Sequence, residues 1–537
     1  MLETVAMNVV AQQAWYRLYS FMTLRGALTL LVVLAAIIPL VYVVSSSMDL
    51  DLAGWQGLWS SRLPGLLWNT LSLAVLVAAG CFVLGVSAAW WVTRREFPGR
   101  RLAVWLMVMP LTIPTYVFAH IYTVLLDDDG WLGQLWVTLF GTSPPELFNI
   151  AGVTFVLTLA GFSYVFLLVQ DALSRSQQDL EEAARIQGAT SSQVFRRINL
   201  PLLRPAIAAG LSVVVLHVLS DFGAVSMLRF QTFTLSIYLQ MNSRFDFNAA
   251  AGLSLVLVSL SLTFLVLERF FRNRQRYYGS GKAKRISPRR ATRFEVTMIW
   301  FWLGLITLFA VALPAIWMVV WSWDAWVDDL ITTEFWGYVR NSMFVSIAAA
   351  SITIFAALPV ALYHARERSL LSQSFLYASS VGFVLPGPVI ALGILAFVLA
   401  NMPVLYGGML VLVLAMVVRF LPLAIHAQES AAQQLTPSIE EAACNLGAGS
   451  WERLRRVTLP MIRGGIISAW VLVFIDTLKE LPATLILRPT GFDTLPVRIW
   501  IEASEEMLEL AAPAALMLVL GTLPILWFLI RPGRSTP

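Results

Sequence analysis

The positions at which this sequence could do chemistry are charged residues inside apolar runs. His217 and Asp221 stand four apart in the run 204–228, and Asp476 and Glu480 stand four apart in the run 463–487, with Lys479 beside them. On a helix that spacing puts both members of a pair on one face. Charge in such a run is costly in lipid and faces a cavity or a partner. One reading makes these residues the lining or gate of a passage that attracts a cation. In another, Asp476, Lys479 and Glu480 neutralise one another or meet His217 and Asp221. In a third, part of the stretch lies at the outer interface, where charges cost little. No catalytic residue is expected, because no nucleophile–base pair or metal motif stands in an apolar run. His120, His217, His364 and His426 are scattered, and Cys81 and Cys444 belong to no metal-ligand spacing, so no metal site is expected. "GSGKA" at 279–283 is no phosphate loop, since Arg276 and Ala283 stand where Gly and Ser or Thr are needed.

A second pattern is written twice. "EEAARIQGATSSQVFRRINLP" runs from Glu181 to Pro201, and "EEAACNLGAGSWERLRRVTLP" from Glu440 to Pro460. Each reads as a Glu- and Ala-rich helix, a glycine turn at Gly188 or Gly447, a short amphipathic helix with an arginine pair, and a Leu-Pro stop. Thr436 or Ser438 is the expected cap of the second copy. A polar, punctuated element of this kind offers a shaped surface to something soluble, and a packing accident need not keep it twice.

The elements that must carry these residues are membrane spans. The chain has 537 residues, 58% hydrophobic and 13% charged, with too little charged surface for a soluble protein of this size. About twelve runs reach spanning length. They lie near 24–46, 67–93, 102–126, 148–173, 204–228 and 248–268, then 297–322, 342–364, 371–400, 404–427, 463–487 and 508–530. The expected fold is therefore all-α and polytopic, with two parallel six-span repeats. Residues 1–270 form the first unit, 271–296 a basic linker and 297–537 the second unit. Prolines 110, 114, 386 and 388 are expected to kink their helices rather than break them. The first run is read as an uncleaved helix. Arg94, Arg95, Arg100 and Arg101, the linker and the tail "RPGRSTP" alternate with acidic loops. The basic loops mark the cytoplasmic side, placing both termini and both repeated segments inside. The net charge of +5 is assigned to these loops and not to a nucleic-acid partner. The repeat extends past the Leu-Pro: Asp221 aligns on Glu480, Ala224 on Ala483 and Arg229 on Arg488. "WNTLSLA" near Asn69 matches "RNSMFVSIA" near Asn341. Segments 229–247 and 488–507 could receive a soluble protein or lie flat on the outer leaflet.

The doubled segment resembles the cytoplasmic "EAA" loop of type I binding-protein-dependent ABC importer permeases. The residues are Glu182, Ala183, Ala184, Gly188, Ile198, Leu200 and Pro201, and Glu441, Ala442, Ala443, Gly447, Val457, Leu459 and Pro460. The one departure is Val457 in place of Ile. The resemblance implies a fused permease in a bacterial inner membrane, each loop docking one of two ABC ATPase subunits, and a periplasmic binding protein delivering substrate. ATP and magnesium would belong to the ATPases, with no cofactor in this chain. The whole chain resembles ferric iron permeases most, in "SDFGAVSML", "TFTLSIY" and "KELPATLILRPTGFDTLPVRIW". Thiamine, phosphonate, polyamine or sulfate are the alternative cargoes of the same class. An ion-gradient-driven secondary transporter is the alternative of another class.

Overall fold

The computed structural model describes residues 24–174, 181, 183–184, 186–273, 288–367, 369–505 and 507–530. The described residues are helical almost throughout. Among the described residues, the only sheet joins Arg95–Glu96 to Arg289–Arg290 in parallel. Nine helices among the described residues are long and apolar enough to cross a membrane, or ten spans if the bent pair Arg100–Thr112 and Thr115–Leu125, turned by 97°, counts as one. Most of the linker, the "GSGKA" stretch and the C-terminal tail lie outside the described residues.

Four of the expected spans are interrupted. The run 102–126 breaks at Pro114, whose ψ of 152° is extended and which caps Thr115–Leu125. The run 371–400 divides into Leu370–Ser379 and Gly387–Asn401, with extended Pro386 (ψ 154°) starting the second piece. The kinking expected of these prolines is thus a full break. Proline disfavours the helical region for the residue before it and lacks an N–H, so an X-Pro step between two short helices is where a span parts. The runs 204–228 and 463–487 stop at Ser220 and Leu478 and resume as the short helices Gly223–Met227 and Pro482–Leu487.

Packing follows lines that the repeat division of 1–270, 271–296 and 297–537 does not describe. One compact unit, the first-loop unit, comprises Asp49–Trp336 and Leu495–Leu526. The other, the second-loop unit, comprises Met1–Met48, Gly337–Thr494 and Trp527–Pro537. The opening helix of each repeat therefore belongs to the unit built mainly from the other repeat.

In the first-loop unit, Leu63–Arg94, Ile150–Ser174 and Leu200–Ser220 form the centre. Small residues set their approach. A Cβ on Gly85 would stand 2.7 Å from Val165 Cβ and 2.9 Å from Phe162 O, and one on Gly210 would stand 3.0 Å from Val165 Cα. Apolar surface gains little from leaving lipid, so close backbone contact of this kind is what holds spans together. The 293–327 segment is tied in by the Tyr122 hydroxyl, which donates to Phe309 O, and by Trp302 Nε1, which donates to Ser87 Oγ at 3.0 Å.

In the second-loop unit, Met409–Gln433 packs on Leu459–Leu478, and Leu24–Met48 crosses Gly387–Asn401. At that crossing Gly393 lies so close to Pro39 that a Cβ would strike the Pro39 carbonyl. Asn401 Nδ2 bonds the Tyr42 hydroxyl beside it.

Candidate functional site: two exposed loops and two broken spans

Each loop turns at its glycine by one mechanism. Gly188 has φ +86° and Gly447 φ +85°, the left-handed region that L side chains avoid. Ala189 N donates to Ala184 O, and Ala448 N to Ala443 O, both at 3.0 Å. That bond closes a helix whose end has reversed direction. Beyond the turn, Thr190 and Gln193 cap each other reciprocally, Thr190 N reaching Gln193 Oε1 at 2.9 Å. The second loop has Gly449 at that position. Thr436 is the N-cap of Pro437–Asn445, but its side chain accepts no capping bond; Ser438 Oγ instead meets Thr436 Oγ1 at 3.3 Å.

The Leu-Pro does not stop the helix that precedes it. Phe195–Asn199 and Leu454–Thr458 are π turns, with Leu200 N bonding Phe195 O and Leu459 N bonding Leu454 O. The wide turn absorbs the proline ring and the missing N–H, so the amphipathic helix continues into the following span.

Of the loop residues singled out by sequence, Glu182 lies outside the described residues. Glu441, Ala442, Gly188 and Gly447 are exposed, as are Ala183 and Pro460. Ala184, Ala443, Ile198, Val457, Leu200, Pro201 and Leu459 are half-buried. Sequence reading passed over the large apolar side chains at the tips: Ile186 is 86% exposed, Leu446 88% and Trp451 71%. Ile186 stands out on the first loop, and Leu446 and Trp451 on the second, each on an otherwise polar segment.

It also passed over the roots of the loops. Arg94 Nη2 pairs with Glu181 Oε1, and both side chains are about nine-tenths buried. Arg94 also donates to Asn199 Oδ1 at 3.1 Å and stands 5.1 Å over the Trp90 ring. In the other unit, Arg366 Nη2 pairs with Glu440 Oε1 at 2.9 Å, and Thr458 Oγ1 donates to the same oxygen at 3.0 Å. Arg366 Nη1 donates to Leu435 O at 3.2 Å. The signal was present: Arg94 and Arg366 stand equally far after Asn69 and Asn341. Those asparagines are themselves used alike, donating to Gln231 O and Asp493 O, each at 3.0 Å.

The candidate gate residues lie at the breaks, and the shared helix faces expected for them do not form. His217 is helical and lies 5.7 Å from the Tyr164 ring, whereas Asp221 is extended, past the helix end. Buried Asp221 accepts from Thr115 Oγ1 at 2.6 Å, Ala224 N at 3.0 Å and Val225 N at 3.3 Å, while Thr234 Oγ1 bonds its carbonyl at 2.5 Å. It caps Gly223–Met227. Buried Glu480 does the same for Pro482–Leu487, accepting from Ala483 N at 3.3 Å, and it also pairs with Arg419 Nε at 2.9 Å. Asp476 and Lys479 pair with each other at 3.5 Å, while Glu480, weighed as the third member of that group, pairs with Arg419.

One exchange makes the two breaks differ. After Pro114 stands Thr115, whose hydroxyl serves Asp221. After Pro386 stands Gly387, where a Cβ would lie 2.9 Å from Arg419 Nη1 and 2.8 Å from Glu480 Oε1. The missing side chain makes room for the guanidinium. Beside the first break, Phe222, Tyr238 and Trp500 pack edge to face, and Trp500 Nε1 donates to Ser226 Oγ at 3.2 Å. Of the two segments read as possible surface helices, Phe233–Asn242 is largely buried and Leu495–Ser504 about half buried.

The profile of the binding-protein-dependent transport system inner membrane component matches residues 81–277 and again 354–530. The chain belongs to that family. The domain occurs twice in it, in agreement with the doubled loops. The chain is 31% identical over 504 residues to the Fe(3+)-transport system permease protein FbpB 2 of Haemophilus influenzae, covering 92% of this chain and 96% of that one. It is 25% identical to the ferric transport system permease protein FbpB of Actinobacillus pleuropneumoniae, over 78% of this chain and 64% of the other. It is 29% identical to the sulfate transport system permease protein CysT of Salmonella typhimurium, over 45% of this chain and 88% of the other.

Proposed function

We propose that this chain is the complete membrane pathway of an ATP-driven importer, docks two ATPase subunits through its two loops, and carries ferric iron handed over by a periplasmic binding protein. The observation that carries the reading is one chain bearing two loops of the same geometry, each with exposed apolar side chains at its tip. A single ATPase would leave one such surface uncovered. The loops and both termini are cytoplasmic in this reading, on the side of the basic residues.

The cargo rests on relatedness. A relative aligned along 92% of the chain is named for Fe(3+) transport, whereas the sulfate relative aligns with 45% of it. The chain supplies a path and coupling, and nucleotide and magnesium belong to the ATPases. Binding of ATP draws the two docked loops together, the bundles rock, and the path opens to the binding protein; hydrolysis resets it. Breaks in spans leave backbone groups that lipid cannot satisfy, so such segments sit where protein or a cavity surrounds them. The broken segments at Asp221 and Lys479–Leu481 are therefore assigned to the path. Charge does not act equally there, because Arg419 balances Glu480 and Thr115 only bonds Asp221.

The test is ATP hydrolysis by the reconstituted complex of permease, ATPase and binding protein. Stimulation by the iron-loaded binding protein alone is the expected result. Stimulation by the thiamine- or sulfate-loaded protein instead would replace the cargo. Uptake that runs on an ion gradient without any ATPase would replace the class by a secondary transporter.

A further inference from the structure

At the root of each loop the same three positions close on one another. In the first-loop unit they are Arg94, Glu181 and Asn199; in the second-loop unit they are Arg366, Glu440 and Thr458. We propose that each trio is a clasp that makes its docking loop rigid with the long helix of its own unit, so that motion of an attached ATPase reaches the spans instead of being absorbed at the loop root. The proposal deepens the docking reading and rests on it.

The arginine closes the long helix, Leu63–Arg94 or Thr333–Arg366. The glutamate opens the loop. The third residue is the last of the π turn that joins the loop to the next span. Three separate stretches of chain thus meet at one ion pair, and the loop is held at both of its ends. The adjacent glutamate of the second loop, Glu441, is exposed, so the two neighbouring carboxylates of that copy have different tasks. One is free to meet a partner subunit. The other is turned inward, where a charge stays only if it is paired.

The chemistry of the third residue differs while its place is kept. Asn199 accepts from the arginine, whereas Thr458 donates to the glutamate. Arg366 also bonds Leu435 O, just ahead of the second loop, and Arg94 lies over the Trp90 ring of its own helix. A π turn is a widened, adjustable stretch of helix. Without the clasp it is the place where the loop would swing without moving the span. These arginines act through the loop and touch no cargo, so they are positioning residues.

The experiment uses the full complex in proteoliposomes and reads two quantities: ATPase retained on purification, and iron imported per ATP hydrolysed. Arg94→Gln and Arg366→Gln are compared with the reversed pairs Arg94→Glu with Glu181→Arg and Arg366→Glu with Glu440→Arg. The expected result is that the Gln variants keep their ATPase subunits and hydrolyse ATP, while iron imported per ATP falls about fivefold or more. The reversed pairs recover most of it. An unchanged ratio in the Gln variants, or folded reversed pairs no better than those variants, overturns the clasp. Where the reversed pairs fail to fold, Arg94→Lys and Arg366→Lys decide. A ratio above that of the Gln variants supports the clasp, and a ratio no higher overturns it. Failure of the docking reading is visible separately, in an unsubstituted permease that retains no ATPase, and it removes the clasp as well.

Discussion

Among single residues, Arg419 and Glu480 carry the heaviest consequence of burial. Their pair sits at a break in a span, with side-chain exposures of 16% and 6%. Removing one partner leaves the other charge buried without compensation, which costs about 3–5 kcal/mol in comparable pairs. Arg419→Ala is therefore expected to lower thermal stability in detergent strongly, and Arg419→Ala with Glu480→Gln to recover part of the loss. Equal melting temperatures for the single and double variants would mean that the pair is not what holds this break. Asp221 answers the same need with the hydroxyl of Thr115, so the two halves of the molecule solve one capping problem with different chemistry. Sequence showed that Asp221 and Glu480 correspond. It did not show Arg419 as the partner, because that contact joins helices far apart in the chain and depends on the empty space at Gly387.

Two features of the loops, taken as elements, invite direct tests. Among the described residues, nothing beyond the turn's own chain neighbours lies within 4 Å of where a Cβ on Gly188 or Gly447 would stand, so space does not demand glycine there. The backbone does. A residue with a Cβ pays about 1–2 kcal/mol at such a φ, and a β-branched one is a true outlier. The double variant Gly188→Val, Gly447→Val is expected to keep its fold, since both turns are exposed, and to hydrolyse ATP without uptake. Normal iron uptake by this variant would count heavily against coupling through the loops. The second test uses the thiols. Cys444 is exposed on the second loop and Cys81 is buried. A maleimide should label Cys444 selectively, and a bound ATPase should slow that labelling; equal rates with and without ATPase would place the docking surface elsewhere. Both loops were legible in the sequence, because turn glycines and helix formers act locally. Continuity through the Leu-Pro was not, because a π turn depends on how the neighbouring helix is held.

For the whole molecule, the exchange of opening helices decides how the halves depend on each other. Leu24–Met48 packs in the second-loop unit, and the 293–327 segment in the first-loop unit. A chain cut at residue 280 is expected to yield halves that are unstable alone and that copurify and support uptake when expressed together. Halves that are each stable alone, with the melting temperature of the whole, would show that the exchange contributes little. The gain expected from coexpression comes from close crossings such as Gly393 on Pro39, which no single half can make.

The sequence by itself determined the class, the doubled loop and the membrane setting. Composition, apolar run length and turn glycines act within a few residues of one another, and each leaves its mark in the local string. Only the tertiary structure decided where spans break, which bundle each opening helix joins, and that Arg94 and Arg366 hold the loop roots. Those outcomes depend on charges and backbones brought together from distant parts of the chain. In a chain this apolar, many helix pairings satisfy the same pattern, and the choice among them falls to close-packed glycines and a few buried polar groups that must find partners.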